Sequence, residues 1–228
     1  MICGSLVDLS SFKDIRTISQ NQYTTISIAT DSTNPTNRYF FKTFNCNCTS
    51  GHQQKIFVNV FSDISISTLS STSIPANSYA ISQNQSVFSF FNATHYYESY
   101  SSLDFSNRFR PTFCSLCISE ITLDKILRRQ VQISNSWSLE DSLNCLFSVA
   151  ISMKRLHDSL LIHGNLCPSN ILVDKVKQCY ISDFGLYRIK EIYYKPPFVN
   201  PQYSAPEIDP LHPTRATDIF SYGVIMCR

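Results

Sequence analysis

Residues 163–172 read His-Gly-Asn-Leu-Cys-Pro-Ser-Asn-Ile-Leu, and this stretch decides the fold of the chain. The tripeptide Asp183-Phe184-Gly185 begins thirteen residues after Asn170, and Ala205-Pro206-Glu207 comes later. The run Asp218-Ile219-Phe220-Ser221-Tyr222-Gly223 completes the series. Any one of these short motifs occurs by chance and carries little weight alone. Four motifs in this order and at this spacing are a specific signal for one fold.

The four motifs resemble those of protein kinases. Residues 163–172 resemble the catalytic loop H-R-D-L-K-P-x-N-I-L, residues 183–185 the metal-binding D-F-G, and residues 205–207 the A-P-E that ends the activation segment. Residues 218–223 are similar to the family's buried αF helix, and Ser221-Tyr222-Gly223 leans toward the tyrosine-kinase-like branch. The resemblance implies an α+β, protein-kinase-like bilobal fold with a β-rich N-lobe and a mostly helical, incomplete C-lobe.

The residue composition and the spacing of apolar residues change between the two halves of the chain. From Met1 to Tyr97 there is no glutamate, and alternating apolar and polar pieces predict strands. From Ser119 onward the apolar spacing becomes helical. We therefore predict an N-terminal extension over 1–11, a degenerate kinase N-lobe over 12–118 and a partial C-lobe over 119–228 that ends within αF.

The local signals of the second half predict individual elements. Ser138 and Asp141 have the spacing of a capping box, which opens a helix. The apolar residues expected on one face of that helix are Leu143, Leu146, Phe147, Ala150 and Met153. Two short strands are predicted at Ile171–Val173 and Cys179–Ile181, and a last helix near Thr214.

Composition and charge exclude several classes of function. The 228 residues carry 19 Lys+Arg against 17 Asp+Glu, and this balance lacks the concentrated basic field of a nucleic-acid-binding protein. No apolar run approaches the ~18 residues of a membrane span, so we expect no membrane segment and a cytoplasmic protein. Nine cysteines include the close pairs Cys46–Cys48 and Cys114–Cys117, which do not indicate a zinc site.

The ATP cleft that the resemblance implies is degenerate. The three glycine positions of the phosphate-covering loop read Ser19, Asn21 and Thr24, and a Cβ at these positions prevents close backbone approach to phosphates. Lys42 falls at the position of the β3 lysine, but no glutamate precedes Glu98 to serve as its αC partner. Lys42 is therefore read either as a cleft residue or as a solvated strand lysine.

A bulky ring is predicted where the family has a small alanine. Residues two apart on a strand share a face, so Phe40 faces the cleft if Lys42 does. With Ile26 above and Leu172 below, the Phe40 ring would occupy the adenine position. If the register slips by one residue, Phe41 takes that place.

The catalytic loop has lost its chemical residues. Asn165 stands at the catalytic base position, and an amide cannot accept the substrate proton. Gly164 and Cys167 replace the arginine and lysine of the loop, while the magnesium ligands Asn170 and Asp183 remain in place. The resemblance gives Asn170 and Asp183 a metal-binding role only if nucleotide binds; otherwise they shape the loop.

These observations predict a catalytically inactive protein-kinase-like (pseudokinase) domain that acts as a binding or allosteric scaffold in signalling. No catalytic residue and no cofactor are expected, and the expected partners are other proteins, such as an active kinase or a signalling partner. The alternative is a weakly active Ser/Thr or Tyr protein kinase that binds ATP and Mg through Lys42, Asn170 and Asp183.

Overall fold

The computed structural model describes residues 12–20, 24–44, 92–97, 109–117, 119–128, 137–158, 160–185, 187, 200–209 and 212–228. The chain divides into two compact units. The described residues up to Cys117 belong to the first unit, and those from Ser119 onward belong to the second. Within the described part of the chain, no helix combines the length and apolar character needed to cross a bilayer.

The first unit contains an antiparallel sheet. Its strands are β1 (Phe12–Gln20), β2 (Thr24–Asp31), β3 (Arg38–Phe44), β4 (Asn92–Tyr97) and β5 (Phe109–Leu116), in the spatial order β1-β2-β3-β5-β4. The register of β1 shifts beside Asp14, whose positive φ of 53° marks a bulge. Lys42 lies in β3, as its predicted position requires, whereas Cys46 and Cys48 lie outside the described residues.

An aromatic cluster packs against one face of this sheet. Phe41 is buried beside Ala29, and the rings of Phe12 and Phe41 meet edge to face with centroids 4.9 Å apart. Tyr39 makes a second edge-to-face contact with Phe12 at 5.3 Å. Such aromatic pairs add stability beyond the area they bury. The alternation of β3 therefore assigns Tyr39 and Phe41 to this cluster.

The second unit is mainly helical. It contains α1 (Leu123–Leu127), α2 (Leu139–Asp158), β6 (Ile171–Val173), β7 (Cys179–Ile181) and α3 (Arg215–Met226), with a 3₁₀ turn at Pro168–Asn170. β6 and β7 form an antiparallel hairpin in which Ile171 lies opposite Ile181. The largest fully buried side chains of the second unit are those of Phe184, Leu156, Leu161, Leu166 and Ile171. A sheet in one unit and helices in the other confirm the predicted α+β class.

The capping box predicted for α2 is present, but its predicted apolar face is only partly correct. Ser138 N donates to Asp141 Oδ2 at 2.8 Å, and Asp141 N donates to Ser138 Oγ at 3.1 Å. Phe147, expected on the buried face, is 61% exposed. Met153 is buried as predicted, whereas the other buried residues of α2 are Cys145, Ser148, Val149, Ser152 and Leu156.

The two buried serines of α2 explain this difference. Ser148 Oγ donates to the Asn144 carbonyl at 2.7 Å, and Ser152 Oγ donates to the Ser148 carbonyl at 2.8 Å. Because these hydroxyls satisfy their hydrogen bonds within the helix, they are buried at little cost. A prediction from apolar residues alone omits these two serines and therefore misplaces the buried face of α2.

Candidate functional site

The candidate cleft residues of the first unit share one face of the sheet. Ile26 lies opposite Lys42, and Ile28 lies opposite Phe40. Directly opposite residues on neighbouring strands project to the same side, and alternate residues along a strand do likewise. Phe40 is half-buried, whereas Phe41 faces the aromatic cluster on the other side. The observed register therefore groups Phe40 with Lys42 and separates Phe41 from both.

The remaining candidate residues lie in the second unit. Leu172 is half-buried in β6, where it lies opposite Tyr180 and forms an isolated bridge with Thr122. Asn170 ends the 3₁₀ turn before β6, and Asp183 follows β7. The β6–β7 hairpin therefore connects these two candidate metal ligands.

Hydrogen bonds tie the Asn170 and Asp183 regions together. The Asn170 carbonyl accepts bonds from Ser182 N at 2.9 Å and from Ser182 Oγ at 3.2 Å. Asp183 has φ of +63°, in the left-handed region that costs a non-glycine residue about 1–2 kcal/mol. The buried neighbours Phe184 and Gly185 follow directly, and Gly185 N donates to the His163 carbonyl at 3.2 Å. The surrounding contacts hold Asp183 in this conformation.

The donor types at these two positions suit magnesium. Asn170 Nδ2 donates to the Asn165 carbonyl at 2.9 Å, which leaves Asn170 Oδ1 as the ligand atom of this amide. Mg²⁺ prefers carboxylate and amide oxygens, usually together with phosphate oxygens from its substrate. Among the described residues, no group of three or more His, Cys, Asp or Glu side chains could hold a metal ion. Asn170 and Asp183 would therefore hold Mg²⁺ together with a bound nucleotide.

Asn165, at the base position, is fixed through its backbone and its side chain. Its N–H donates to His163 Nδ1 at 3.3 Å, and its carbonyl accepts the bond from Asn170. Its Oδ1 accepts a hydrogen bond from Asn200 N at 3.2 Å. Only the oxygen of an amide accepts an N–H bond, so this contact also fixes which way the amide points. The Asn165 side chain therefore accepts a hydrogen bond from the protein backbone, and it has no carboxylate that could act as a base.

The Asp218 carboxylate anchors the start of the catalytic loop through hydrogen bonds. Its carboxylate is 1% exposed and accepts bonds from His163 N and Gly164 N, each at 2.8 Å. His157 Nε2 lies 2.9 Å from the same carboxylate. Because Asp218 projects from the first turn of α3, this helix positions the loop.

His163, the first residue of the catalytic loop, is fully buried. Burial lowers the pKa of its imidazole, although the nearby Asp218 and Asp183 carboxylates raise it in part. Since Nδ1 accepts the bond from Asn165, the ring proton belongs on Nε2, which forms no well-aligned hydrogen bond with the described residues. The His163 ring therefore supports the loop through the hydrogen bond that its Nδ1 accepts.

Glycine at position 164 permits a close contact. Gly164 has φ of +76°, and a Cβ there would lie 2.7 Å from Tyr187 Cδ1 and 3.1 Å from Pro213 Cγ. The Tyr187 ring thus packs against the position where the family carries an arginine side chain. Cys167, at the position of the family's lysine, is buried, and burial raises the pKa of its thiol to about 11. Neither position offers a cation to a phosphoryl group.

Three of these contacts were not predicted from the sequence. They are His157 with Asp218, Asn200 with Asn165, and Tyr187 with Gly164. The glycine in place of arginine was the one sequence signal available, since it removes a side chain and leaves room for another. The other two contacts have no local signal.

The sheet of the first unit and the loop held by Asp218 in the second define a protein-kinase-like domain. The family described as protein tyrosine and serine/threonine kinase matches residues 105–227. The chain belongs to this protein kinase family.

Individual relatives agree with this assignment. The chain is 34% identical over 122 residues to an Acanthamoeba polyphaga mimivirus protein described as a serine/threonine-protein kinase/receptor, a match that covers 51% of this chain and 7% of that protein. It is 33% identical over 94 residues to fibroblast growth factor receptor 2 of Dugesia japonica, a match that covers 39% of this chain and 10% of that receptor. It is 36% identical over 80 residues to an Arabidopsis thaliana protein described as an inactive receptor-like protein kinase. This match covers 34% of this chain and 13% of that protein. These matches span only a small part of each relative.

Proposed function

We propose that this chain is a catalytically inactive protein kinase domain that serves as a binding or allosteric scaffold in signalling. The observation that carries the proposal is the state of Asn165. The atom at the base position is an amide oxygen that already accepts the Asn200 N–H. Loss of a positioned general base typically slows proton transfer ~10²–10⁴-fold.

The surroundings of Asn165 support the same conclusion. Gly164 is covered by the Tyr187 ring, and Cys167 is a buried thiol whose pKa of about 11 keeps it neutral. Transfer of a phosphoryl group depends on cations that stabilise the charge of the transition state. The loop contributes hydrogen-bonded and apolar contacts in their place.

The first unit supports the proposal independently. Phe40 lies on the same sheet face as Lys42, and we infer that its ring takes the volume that the adenine base of ATP needs. The relative from Arabidopsis described as inactive gives a precedent for such a domain. The partners proposed for the scaffold are other signalling proteins, including an active kinase.

A thermal shift of the chain with ATP and Mg²⁺ tests this proposal. A nucleotide at ~100 times its dissociation constant stabilises a folded protein by about 2.7 kcal/mol. We expect no magnesium-dependent shift and no phosphotransfer from a sample shown to be folded. A clear shift together with transfer that Asp183→Asn abolishes would establish the alternative, a weakly active kinase that uses Lys42, Asn170 and Asp183.

Two variants of β3 sharpen this experiment. Phe40→Ala removes the ring beside Lys42, so we expect a nucleotide-dependent shift to appear. Tyr39→Ala is the matched control, because Tyr39 is a half-buried aromatic residue in the aromatic cluster. Equal nucleotide responses of the two variants would show that Phe40 does not fill the cleft.

A further inference from the structure

Two buried thiols meet where α2 packs against β7. Cys145 lies on the buried face of α2, and Cys179 is the first residue of β7; both are free cysteines that are almost completely excluded from solvent. The two elements are in direct contact. A hydrogen bond with the Cys145 thiol, together with burial, raises the pKa of the Cys179 thiol. The fold therefore brings two sulfur atoms together from distant parts of the chain.

The neighbours of the two cysteines fix the alignment of α2 and β7. Gln178 Nε2 donates to Ser148 Oγ at 3.3 Å, and this bond links the residue before Cys179 to the helical turn after Cys145. Residues three apart on a helix lie side by side, and Ser148 belongs to the same buried face as Cys145. On its other side, Cys179 lies opposite Val173 of β6. The two thiols are therefore held at one place by contacts on both elements.

The protonation of the pair gives its two sulfur atoms different roles. Because its pKa is raised, Cys179 stays protonated, and its S–H group donates toward the Cys145 sulfur. The thiolate is the nucleophile in cysteine oxidation, so attack on an oxidant falls to Cys145. A thiol beside a newly oxidised cysteine acts as the resolving group that completes a disulfide. Cys179 occupies that position.

We propose that Cys145 and Cys179 form a reversible disulfide when the chain reacts with hydrogen peroxide. The Cys145 thiolate attacks one peroxide oxygen, the O–O bond breaks, and the sulfenic acid of Cys145 forms while the other oxygen leaves as water after taking up a proton. The Cys179 sulfur then attacks the sulfenic sulfur, and the hydroxyl group leaves with the Cys179 proton as a second water. The two sulfur atoms together lose two electrons, and the peroxide gains them.

Burial and the presence of a partner thiol together select this pair. Hydrogen peroxide is a small molecule that reaches buried atoms through brief local openings of the structure. Cys167 is similarly buried, but burial and not a second thiol is the main cause that raises its pKa to about 11. Oxidation of Cys167 would therefore end at the sulfenic acid, whereas oxidation of Cys145 continues to the disulfide.

The disulfide would join α2 to the strand that leads to Asp183. β7 ends at Ile181, and the next residue, Ser182, donates its N–H to the Asn170 carbonyl at 2.9 Å. A cross-link restricts the unfolded chain and so stabilises the folded one. Disulfides in reducing compartments are usually transient and redox-sensing, which suits a bond that forms only under oxidation. The reaction involves no nucleotide, so it is independent of the proposed function.

Peptide mass spectrometry of the full chain tests the proposal. The folded, reduced chain is treated with hydrogen peroxide, its remaining thiols are alkylated in urea, and it is digested without reductant. Trypsin cleaves after Lys154 and Lys177, so Cys145 and Cys179 fall on separate peptides. We expect one dominant cross-linked pair that contains both cysteines and disappears with dithiothreitol. Absence of this pair, or the same mixture of pairings in folded and urea-unfolded samples, would overturn the proposal.

Variants and a thermal melt separate the roles of the cysteines. Cys179→Ser removes the resolving thiol, so we expect no cross-link and a Cys145 sulfenic acid that dimedone traps. Cys167→Ser is the matched control, because it removes a buried thiol outside the pair and should form the cross-link as the parent chain does. The oxidised parent chain, which needs no substitution, should melt at a higher temperature than the reduced chain. A lower melting temperature would show that the bond forms only by displacing β7 from α2, against the proposal.

Discussion

Replacing Asp218 by asparagine should destabilise the second unit strongly. Each carboxylate oxygen accepts a backbone N–H, one from His163 and one from Gly164, both at 2.8 Å. Asparagine has one oxygen and one NH₂ group, so one backbone N–H would face a donor. The loss of a bond to a charged acceptor costs about 1.5–3 kcal/mol, and a buried donor left without a partner costs about 1–3 kcal/mol. Together the two costs predict a loss of about 2.5–6 kcal/mol in the free energy of unfolding.

The assay is urea unfolding of the parent chain and Asp218→Asn under identical conditions. A cost of this size is a large fraction of the ~5–15 kcal/mol that stabilises most proteins. Asp158→Asn is the control, because Asp158 is 60% exposed and pairs with Lys154 on the surface of α2. Exposed pairs of this kind contribute at most about 1 kcal/mol. If Asp218→Asn lowers the free energy of unfolding by less than 1 kcal/mol more than Asp158→Asn, the carboxylate does not hold the loop.

Three further outcomes are expected. Gly223→Ala should stabilise the chain by about 0.5–1 kcal/mol, because alanine favours a helix more than glycine does and a Cβ at this position of α3 meets no atom within 4 Å. A thermal melt measures the effect, and a lower melting temperature would contradict this expectation. Iodoacetamide at pH 8 should label the exposed Cys227 and leave Cys167 unmodified, since burial raises the pKa of Cys167 to about 11; equal labelling, read by peptide mass spectrometry, would show that Cys167 is accessible. The hydrogen bond from Lys177 lowers the pKa of Asp141 from 3.8 to about 2, so the carboxylate stabilises the folded chain above pH 4, and this contribution disappears as the pH falls from about 4 to 2. The difference in urea midpoint between the parent chain and Asp141→Asn should therefore shrink over that range, and a constant difference would rule out the pairing.

The elements that could be predicted are those with local signals. The motif order from His163 to Gly223 indicated the fold because each motif is a short, contiguous run. Strand alternation grouped Phe40 with Lys42, and the observed register pairs them with Ile28 and Ile26. Such patterns depend only on neighbouring residues, so a sequence contains them in full.

The contacts that were missed join residues far apart in the chain. Asn200 and Asn165 are separated by 35 positions, and His157 and Asp218 by 61. No spacing rule links such pairs, because the folded chain alone brings them together. The buried face of α2 was missed for a different reason, since Ser152 satisfies its hydroxyl inside the helix and so behaves as a core residue.

The Tyr187 ring on Gly164 also has an evolutionary consequence. Any side chain at position 164 would have to displace the ring, because even its Cβ would lie 2.7 Å from Tyr187 Cδ1. The same Cβ would lie 3.1 Å from Pro213 Cγ. The residue at position 164 is therefore coupled to the residue at position 187, and we expect the two positions to vary together among related sequences.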